Sequence, residues 1–275
     1  MKEIVSILIP VYNRERLIER TLESALNQTY PHLEVIVSDN KSTDGTWDIL
    51  QQWAKKDSRL KIFQNEENLG PLYNWIAGLQ HCTGEFLKIL WSDDTLSPEC
   101  ILECLTALKN DPQAGLVYTS TMIHLKDKDI PAYHHPESTQ SSSEAYTLNT
   151  ILARDLPVSP GCAMIRRKDA LFSDFQDGDP RLHDIAKKFG AGPDVFFLLH
   201  AASKYSKVLH IPRFLSHFYG GEESFTLANR KEVSLGYKLT FQHLLNRDPF
   251  IKKLRNKVKR IQIKDKIKKT LSKIF

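Results

Sequence analysis

Hydrophobic and polar positions alternate regularly along the first 120 residues. Continuous apolar runs are typical of strands buried on both faces of a sheet, and they occupy residues 4–9, 33–37, 60–63, 86–90 and 115–119. Between them, apolar side chains recur at helical spacing, over residues 14–28, after Asp44, over residues 71–81 and from Ser97. The alternation predicts an α/β domain with a mostly parallel central sheet and helices on both faces.

The pattern is less regular after residue 120. Polar residues dominate 126–147, which predicts a mobile loop. Apolar runs then resume at residues 162–165, 195–199, 208–211 and 214–218. Because no internal repeat is found, we expect these runs to continue the same domain over the sheet edge. We therefore divide the chain into two halves of one domain, residues 1–120 and 121–245, and a tail, residues 246–275.

The tail is basic and amphipathic. It contains twelve Lys and Arg and two Asp, a net charge of +10, whereas the rest of the chain carries −5. Its apolar positions form two stripes with helical spacing: Ile251, Leu254, Val258 and Ile261, then Ile263, Ile267, Leu271 and Ile274. Such a helix suits the anionic inner leaflet of a membrane, at about 1 kcal/mol per basic residue. A solvated helix or a coiled-coil contact is the alternative. Nucleic acid is disfavoured, because the body is acidic and the tail lacks interleaved aromatic residues.

Composition and sequence signals indicate where in the cell the protein is expected. With 41% hydrophobic and 26% charged residues, the chain is typical of soluble globular proteins. No apolar run approaches the roughly 20 residues that cross a bilayer, and the N-terminus lacks the apolar core and cleavage site of a signal peptide. We therefore expect a cytoplasmic protein, peripheral on the inner membrane face. The cysteines are expected to be buried thiols, because Cys100 and Cys104 lack a second pair that would complete a metal site.

Polar clusters follow three of the predicted strands. Tyr12-Asn13 follows the first strand, Ser38-Asp39-Asn40 the second, and Ser92-Asp93-Asp94 the fourth. In an open α/β sheet, ligands bind beyond the carboxyl ends of the strands. The sequence therefore predicts one crevice that carries all three clusters.

Two aspartates near the second strand have different interpretations. Asp39 is suited to accept a hydrogen bond from the imide N–H of uracil or thymine, or from N1–H of guanine, whereas adenine offers no such donor. The alternative is a turn aspartate that holds local backbone. Asp44 is interpreted as a helix cap.

The adjacent carboxylates of Asp93 and Asp94 predict a metal site. Beside a bound pyrophosphate they would repel it unless a divalent cation intervened, and Mg²⁺ or Mn²⁺ takes one or two carboxylates plus phosphate oxygens. Such a cation neutralises a departing nucleoside diphosphate. Other nucleotide and hydrolase motifs are absent from the sequence, namely G-x-G-x-x-G after the first strand, the P-loop and G-x-S-x-G.

Several segments resemble family 2 glycosyltransferases, which adopt the GT-A fold. They are residues 5–13, 24–30 and 37–46, then Asn68-Leu69-Gly70, Gly84-Glu85-Phe86 and the DxD-like Ser92-Asp93-Asp94, in the order and approximate spacing of that family over residues 4–120. The resemblance implies a nucleotide-binding set of Pro10, Val11, Tyr12, Asn13, Asp39, Asn68, Gly70 and Asp93, with Asp94 as the ligand of Mn²⁺ or Mg²⁺. Many relatives carry a basic residue and an Asn at the positions of Trp75 and Ile76. Without that basic residue, the charge of the pyrophosphate must be neutralised by the metal or by a cation not identified from the sequence.

Shorter resemblances lie in the second half. Residues 158–162, with Pro160 and Gly161, resemble the loop that lines the acceptor side, and residues 192–197 resemble the helix start where inverting members carry their general base, here Asp194. An attacking hydroxyl must lose its proton to a positioned carboxylate. The alternative for Asp194 is an acid favoured by the helix dipole. Asp177, Asp179 and Asp184 are rival bases.

The expected function is an inverting, metal-dependent sugar transfer from a UDP-, dTDP- or GDP-linked donor. The acceptor would be a hydroxyl of a glycan or lipid-linked glycan, in cell-surface polysaccharide synthesis. A sugar-nucleotide pyrophosphorylase is one alternative, but residues 10–14 are not the glycine-rich basic loop it needs. A non-catalytic protein with the same fold is the other. His217 is interpreted as a satisfied, partly buried histidine in preference to a metal or phosphate ligand, and His134 and His135 as loop residues.

Overall fold

The computed structural model describes residues 3–137, 139–173, 175–220 and 229–271, with side chains described to residue 263. The strands are β1 Val5–Val11, β2 Leu33–Asp39, β3 Leu60–Gln64, β4 Phe86–Ile89, β5 Thr95–Leu96, β6 Ala114–Leu125, β7 Lys128–Ala132, β8 Gln140–Ser142, β9 Ala163–Arg166 and β10 Lys207–Tyr219. The helices are α1 Ile18–Leu26, α2 Thr46–Ala54, α3 Pro71–Gln80, α4 Cys100–Asn110, α5 Ser143–Ile151, α6 Pro180–Phe189, α7 Pro193–Ser203, α8 Arg230–Arg247, α9 Pro249–Lys252 and α10 Arg255–Leu271.

One mixed sheet runs through the described residues, in the order β3-β2-β1-β4-β9-β6-β10-β5, with β7 on β6 and β8 on β10. The long strands β3, β2, β1, β4, β6 and β10 point the same way, whereas β9 is antiparallel to both of its neighbours. Val11 pairs with Asp39, and Asp39 pairs with Gln64. The strand β4 also pairs with β1 in parallel, so the carboxyl ends of β1, β2 and β4 lie at one edge of the sheet, as the strand-end clusters predict.

Alternate side chains of β1 enter two separate core layers. Ile7 and Ile9 pack in one layer with buried residues of α1, α2 and α4, and Leu8 packs in the other with residues of α3, α6, α7 and α8. Successive side chains of a strand point to opposite faces, so a run buried on both faces needs helices on each side. The predicted α/β architecture is confirmed. All four cysteines are buried free thiols, as expected.

The strands and helices predicted over residues 1–120 are present, with small shifts at their ends. The last of these strands is longer than predicted, because β6 continues to Leu125. The boundary drawn at residue 120 therefore lies inside a strand, and the division of roles between the two halves stays a prediction.

The prediction of a mobile loop over residues 126–147 is wrong. β7 forms an antiparallel hairpin with β6, β8 pairs with β10, and α5 begins at Ser143. Backbone groups make the strand pairing, so polar and exposed side chains do not oppose it. The Ser142 hydroxyl accepts a hydrogen bond from the backbone N–H of Ala145, which caps α5, and the fully buried Tyr146 anchors it.

The basic tail is helical, as predicted, but its first apolar stripe faces the protein. Ile251, Leu254 and Val258 are buried, and Lys257 forms an ion pair with Glu144 at the start of α5. In the second stripe Ile263 is exposed, and the side chains of Ile267, Leu271 and Ile274 lie outside the described residues. Among the described helices, none has the length and hydropathy that a membrane span needs. The start of the tail is therefore a packed part of the body.

Candidate functional site

Asp39, the last residue of β2, is fully buried. Its Oδ2 accepts hydrogen bonds from Nε2 of Gln64 at 2.8 Å and from the backbone N–H of Ser42 at 3.1 Å, and its Oδ1 accepts one from the Ser42 hydroxyl. The turn-holding role considered for Asp39 is therefore present. A carboxylate offers about four acceptor positions, and these bonds use three. About one acceptor position of the carboxylate is left unused by these bonds.

The segment after β1 is tied to the loop after β2. Asn13 has a φ of +50°, a left-handed conformation that Asn tolerates better than most residues. Its Oδ1 accepts from the backbone N–H of Thr43 at 2.8 Å, and its own N–H donates to Ser42 Oγ at 2.9 Å. Pro10 and Val11 are buried in β1, whereas the neighbouring Tyr12 is 39% exposed. Tyr12 is therefore at the surface, directly after Val11, which pairs with Asp39.

Amide side chains shape the loop before α3. Asn40 Nδ2 donates to Asn68 Oδ1 at 2.8 Å, and Asn68 Oδ1 also accepts from the backbone N–H of Gly70 at 2.9 Å. Asn74, which the sequence analysis missed, is buried on α3 and joins Ser38 Oγ at 2.8 Å to Asn65 Nδ2 at 2.9 Å. A polar residue inside the apolar stripe of a helix was the signal for it. The predicted Asn68 and Gly70 thus act by fixing the loop next to Asp39.

The acidic turn between β4 and β5 is held from two sides. Arg20 Nη2 donates to the carbonyl oxygen of Asp93 at 2.7 Å, and Thr21 Oγ1 donates to that of Asp94 at 2.9 Å. From β10, the backbone N–H of Tyr219 donates to Asp94 Oδ1 at 3.0 Å. The helix α1 therefore holds the backbone of both acids, and the strand β10 holds the carboxylate of Asp94.

Burial and mutual repulsion act on the two acids. Burial raises the pKa of Asp94 well above its usual range, and the charge of Asp93 raises it further. Burial also raises the pKa of Asp93, while Arg14 and Arg20 oppose that rise. Within the described residues, no cluster of three or more His, Cys, Asp or Glu is arranged to hold a metal. Two adjacent carboxylates match the one or two that Mg²⁺ or Mn²⁺ takes from protein when phosphate and water supply its other ligands.

Two arginines near the acidic turn are candidates for the cation that the sequence alone does not identify. Arg14 and Arg20 lie close enough to Asp93 to influence its ionisation. The Nε atoms of both are buried and lack hydrogen-bond partners among the described residues. The Arg20 guanidinium also lies 3.6 Å from the ring centroid of Tyr219. Positive charge thus adjoins the acidic turn without a basic residue at Trp75 or Ile76.

The predicted acceptor-side loop packs against the acidic turn. Pro160 and Gly161 form a 3₁₀ turn, and a Cβ on Gly161 would lie 2.9 Å from Cδ1 of Trp91. The Trp91 indole Nε1 donates to Ser159 Oγ at 2.8 Å. Buried Lys88 donates from Nζ to the carbonyl oxygen of Gly161 at 2.8 Å. The acidic turn predicted for the donor side and the loop predicted for the acceptor side therefore pack against each other.

Asp194 lies at the start of α7 and is 8% exposed. Its Oδ1 accepts from the backbone N–H groups of Gly192 at 2.9 Å and Val195 at 2.8 Å, and its Oδ2 accepts from the Tyr237 hydroxyl at 2.6 Å. Burial raises the pKa of Asp194 to about 6, and these hydrogen bonds limit the rise. A carboxyl with this pKa is mostly ionised at neutral pH and still basic enough to take a proton.

The other acids considered as the general base lie in surroundings that differ from those of Asp194. Asp177 is exposed and pairs with Arg247, Asp179 caps α6 and pairs with Arg181, and Asp184 is exposed. Asp194 is the buried member of the group.

Trp75 links the start of α7 to the acidic turn. Its ring centroid lies 4.9 Å from that of Trp91, and its indole fills the space where a Cβ on Gly190 would stand. Gly190 precedes α7 by a short turn. The Trp75 side chain therefore contacts both the acidic turn and the turn that precedes α7.

The histidines are engaged in local contacts. His217 contacts Ser97 Oγ at 2.9 Å and His124 Nε2 at 3.1 Å, and burial lowers its pKa. His134 contacts Ser120 Oγ at 3.0 Å, and His135 contacts the carbonyl oxygen of Asp155 at 2.9 Å. The interpretation of His217 as a satisfied histidine agrees with these contacts.

An open α/β sheet with buried acids and cations at its carboxyl edge defines a nucleotide-binding fold of the GT-A class. The family model of glycosyl transferase family 2 matches residues 6–172, more than half of the chain. The protein therefore belongs to glycosyl transferase family 2, and the resemblance seen in the sequence is confirmed.

A curated relative and two solved structures illustrate the likeness. The GalNAc(5)-diNAcBac-PP-undecaprenol beta-1,3-glucosyltransferase of Campylobacter jejuni is 40% identical over 93 residues, 34% of this chain and 30% of the relative. The structure of S. aureus TarS in complex with UDP-GlcNAc aligns with a TM-score of 0.69 and 19% identity, over 90% of this chain and 68% of that one. The mannosyltransferase PcManGT of Pyrobaculum calidifontis, in complex with GDP-Man and Mn²⁺, aligns with a TM-score of 0.61 and 18% identity, over 92% and 67%.

The alignments with curated relatives are partial. The matched stretch spans between 17% and 47% of the relatives' own length. These comparisons show the family and the fold of the chain.

Proposed function

We propose that this protein is an inverting, metal-dependent glycosyltransferase that moves a sugar from a nucleoside diphosphate to a hydroxyl group. The observation that carries the proposal is the pair Asp93 and Asp94 at the carboxyl edge of the sheet, in which Asp94 is buried and Asp93 lies near Arg14 and Arg20. Two carboxylates with adjacent cations suit a metal-bound diphosphate. The structural neighbours hold UDP-GlcNAc in one case and GDP-Man with Mn²⁺ in another, which supports this donor class.

The donor is held by the first half of the chain. The free acceptor position of Asp39 takes an imide N–H of the base, which favours a UDP-, dTDP- or GDP-linked sugar. Backbone from Pro10 to Asn13 lines the base, and Asp93 lies near the ribose or the sugar. Asp94 would hold Mn²⁺ or Mg²⁺, which when bound neutralises charge on the departing diphosphate. Arg14 and Arg20 add positive charge beside it.

The second half of the chain activates the acceptor. Its hydroxyl enters beside Pro160 and Gly161, and Asp194 takes its proton as the oxygen attacks the anomeric carbon. The new carbon–oxygen bond forms on the face opposite the diphosphate, and the bond from the anomeric carbon to the phosphate oxygen breaks with its electron pair on the diphosphate. A single displacement of this kind inverts the configuration.

We infer a glycan or lipid-linked glycan acceptor at an anionic membrane face, in cell-surface polysaccharide synthesis. The Campylobacter jejuni relative is named for an undecaprenol-linked glycan, which supports this class. The basic residues of the tail would bind acidic headgroups and hold the protein peripherally on the inner membrane face. Because Ile251, Leu254 and Val258 are buried, this contact is electrostatic along the first part of the tail.

Two variants test the proposal. Asp194→Asn is expected to abolish transfer and keep donor affinity within about threefold, because Asn preserves the shape but takes no proton. Asp94→Asn is expected to lose the increase in donor affinity that Mn²⁺ gives. Donor binding is measured by calorimetry and transfer by release of the nucleoside diphosphate. Full transfer by Asp194→Asn would contradict the assignment of Asp194 as the general base.

The alternatives predict other results. A pyrophosphorylase would form a nucleotide sugar from a nucleoside triphosphate and a sugar phosphate, although β1 leads into the Tyr12-Asn13 turn and not into a glycine-rich loop. A non-catalytic protein would bind the donor and release no diphosphate.

A further inference from the structure

The hydroxyl of Tyr237 donates a hydrogen bond to Asp194 Oδ2 at 2.6 Å. Tyr237 lies on α8, 43 residues after Asp194, so the bond joins two helices that are distant in the chain. Hydrogen bonds to an ionised acceptor are shorter and stronger than neutral ones. The bond therefore favours the ionised form of a carboxyl that burial disfavours.

A close helix approach fixes this contact. A Cβ on Gly236 would lie 2.9 Å from the carbonyl oxygen of Ala191 and 2.8 Å from Cγ2 of Ile185. Glycine therefore lets α8 approach the turn between α6 and α7 at the residue before Tyr237. The position of the phenol is set by backbone packing and does not depend on a flexible side chain.

Other described groups also contact or lie near the Asp194 carboxylate. Its Oδ1 is occupied by the backbone N–H groups of Gly192 and Val195. Two phenols lie near the carboxylate: Tyr237 on α8, which is hydrogen-bonded to it, and Tyr133 after β7, which is close enough for the charge of Asp194 to influence its ionisation. With three of about four acceptor positions filled, the remaining position lies on Oδ2. A hydroxyl that gives its proton to Asp194 must therefore approach next to the Tyr237 bond.

We propose that Tyr237 is the positioning residue for the general base: its hydroxyl keeps Asp194 ionised and directs the free acceptor position of Oδ2 toward the acceptor hydroxyl. The inference rests on the proposed role of Asp194. Tyr237 transfers no proton in the reaction, and its effect reaches the substrate through Asp194.

Tyr237→Phe tests this inference with two measurements. Loss of a hydrogen bond to the charged form raises the pKa of Asp194, by about one unit for a bond of ordinary strength. In carbon-13 NMR of protein labelled at its aspartate carboxyl carbons, the resonance missing from Asp194→Asn is followed through a pH titration. The acidic side of the pH profile of kcat/KM is expected to shift to higher pH by the same amount as the pKa. The value of kcat/KM then falls about fivefold at pH 6 and less than about twofold at pH 8.5 relative to the wild type.

A matched control exists in the same chain. The Tyr205 hydroxyl donates to Asp169 Oδ2 at 2.8 Å, away from the candidate site. Tyr205→Phe breaks the same type of bond and is expected to leave both titrations unchanged. If Tyr237→Phe folds poorly, fluorotyrosine introduced at position 237 keeps the ring and strengthens the donor. The pKa of Asp194 and the acidic side of the pH profile are then expected to move down.

The outcomes separate the inference from the proposed function. An Asp194 pKa that is unchanged in Tyr237→Phe overturns the inference, even where Asp194→Asn is inactive. A loss of activity that is the same at every pH also overturns it, because it indicates a packing role alone. Transfer retained by Asp194→Asn rejects the base itself, whatever the carboxyl titration shows.

Discussion

The ammonium group of Lys88 lies 2.8 Å from the carbonyl oxygen of Gly161, and both residues are buried. Lys88 is on β4, which leads into the acidic turn, and Gly161 is in the acceptor-side loop. The charge of Lys88 also opposes the raised pKa of Asp94. One buried cation thus connects the two sides of the candidate site.

Lys88→Met is expected to lower the free energy of unfolding by about 1–3 kcal/mol, because it leaves the Gly161 carbonyl without its donor. The control is Lys109→Met, which removes a solvent-exposed ion pair with Glu3 and is expected to change the stability much less than Lys88→Met does. Urea unfolding followed by circular dichroism measures both. Equal stabilities for the two variants would show that the buried bond adds nothing.

Gly70→Ala is expected to destabilise the fold by about 2 kcal/mol or more and to weaken donor binding. Gly70 has a φ of +80° and a ψ of 165°, which glycine adopts without strain, and an added Cβ would lie 2.5 Å from the carbonyl oxygen of Lys187. Gly45→Ala is the control, because its φ is −70° and a Cβ there meets the flexible end of Glu15. Thermal unfolding and calorimetry with a nucleoside diphosphate check the pair. Unchanged donor affinity in Gly70→Ala would show that the loop around Gly70 does not contribute to nucleotide binding.

The raised pKa of Asp194 predicts a pH dependence of stability. Its folded pKa of about 6 lies above the unfolded value of 3.8, so the folded state holds the proton more tightly between these values. The stability that this group contributes is full below pH 3.8 and is lost as the pH rises to 6. The stability of the wild type relative to Asp194→Asn should therefore fall by about 2 kcal/mol between pH 4.5 and 7.5. Urea unfolding at each pH measures the difference, and a constant difference would contradict the shift.

Charge reversal in the tail tests the proposed membrane contact. Lys252→Glu with Lys253→Glu is expected to weaken binding to anionic vesicles at least about tenfold, because each basic residue adds about 1 kcal/mol. Lys55→Glu with Lys56→Glu is the matched control, an adjacent exposed pair just after α2. Sedimentation with phosphatidylglycerol vesicles, and with neutral vesicles for comparison, measures both. Equal loss in the two variants would indicate nonspecific attraction to the whole surface.

Sequence patterns predicted the parallel part of the fold, because strands buried on both faces must be continuously apolar, as β1 is. They did not predict β7, in which Lys128 and Asp129 are exposed and the backbone makes the pairing. They also assigned Ile251 to a membrane-facing stripe, because periodicity identifies an apolar face but not what covers it.

Only part of the candidate site could be predicted from the sequence, because contacts between residues distant in the chain leave no local pattern. Strand ends are read directly along the chain, so Asp39 and Asp94 were found. Arg20 and Tyr237 were missed, because each acts on a residue far away in sequence, Arg20 on Asp93 and Tyr237 on Asp194. Such partners become visible only when the fold brings them together.

The most direct test of the proposed activity is calorimetry with a panel of UDP-, dTDP- and GDP-linked sugars, with and without Mn²⁺, for the wild type and Asp94→Asn. The wild type is expected to bind at least one donor, more tightly with Mn²⁺, and to release its nucleoside diphosphate slowly to water. Asp94→Asn is expected to lose the Mn²⁺ effect. Binding of no donor in the panel, or equal metal dependence in both proteins, would contradict the proposed donor site.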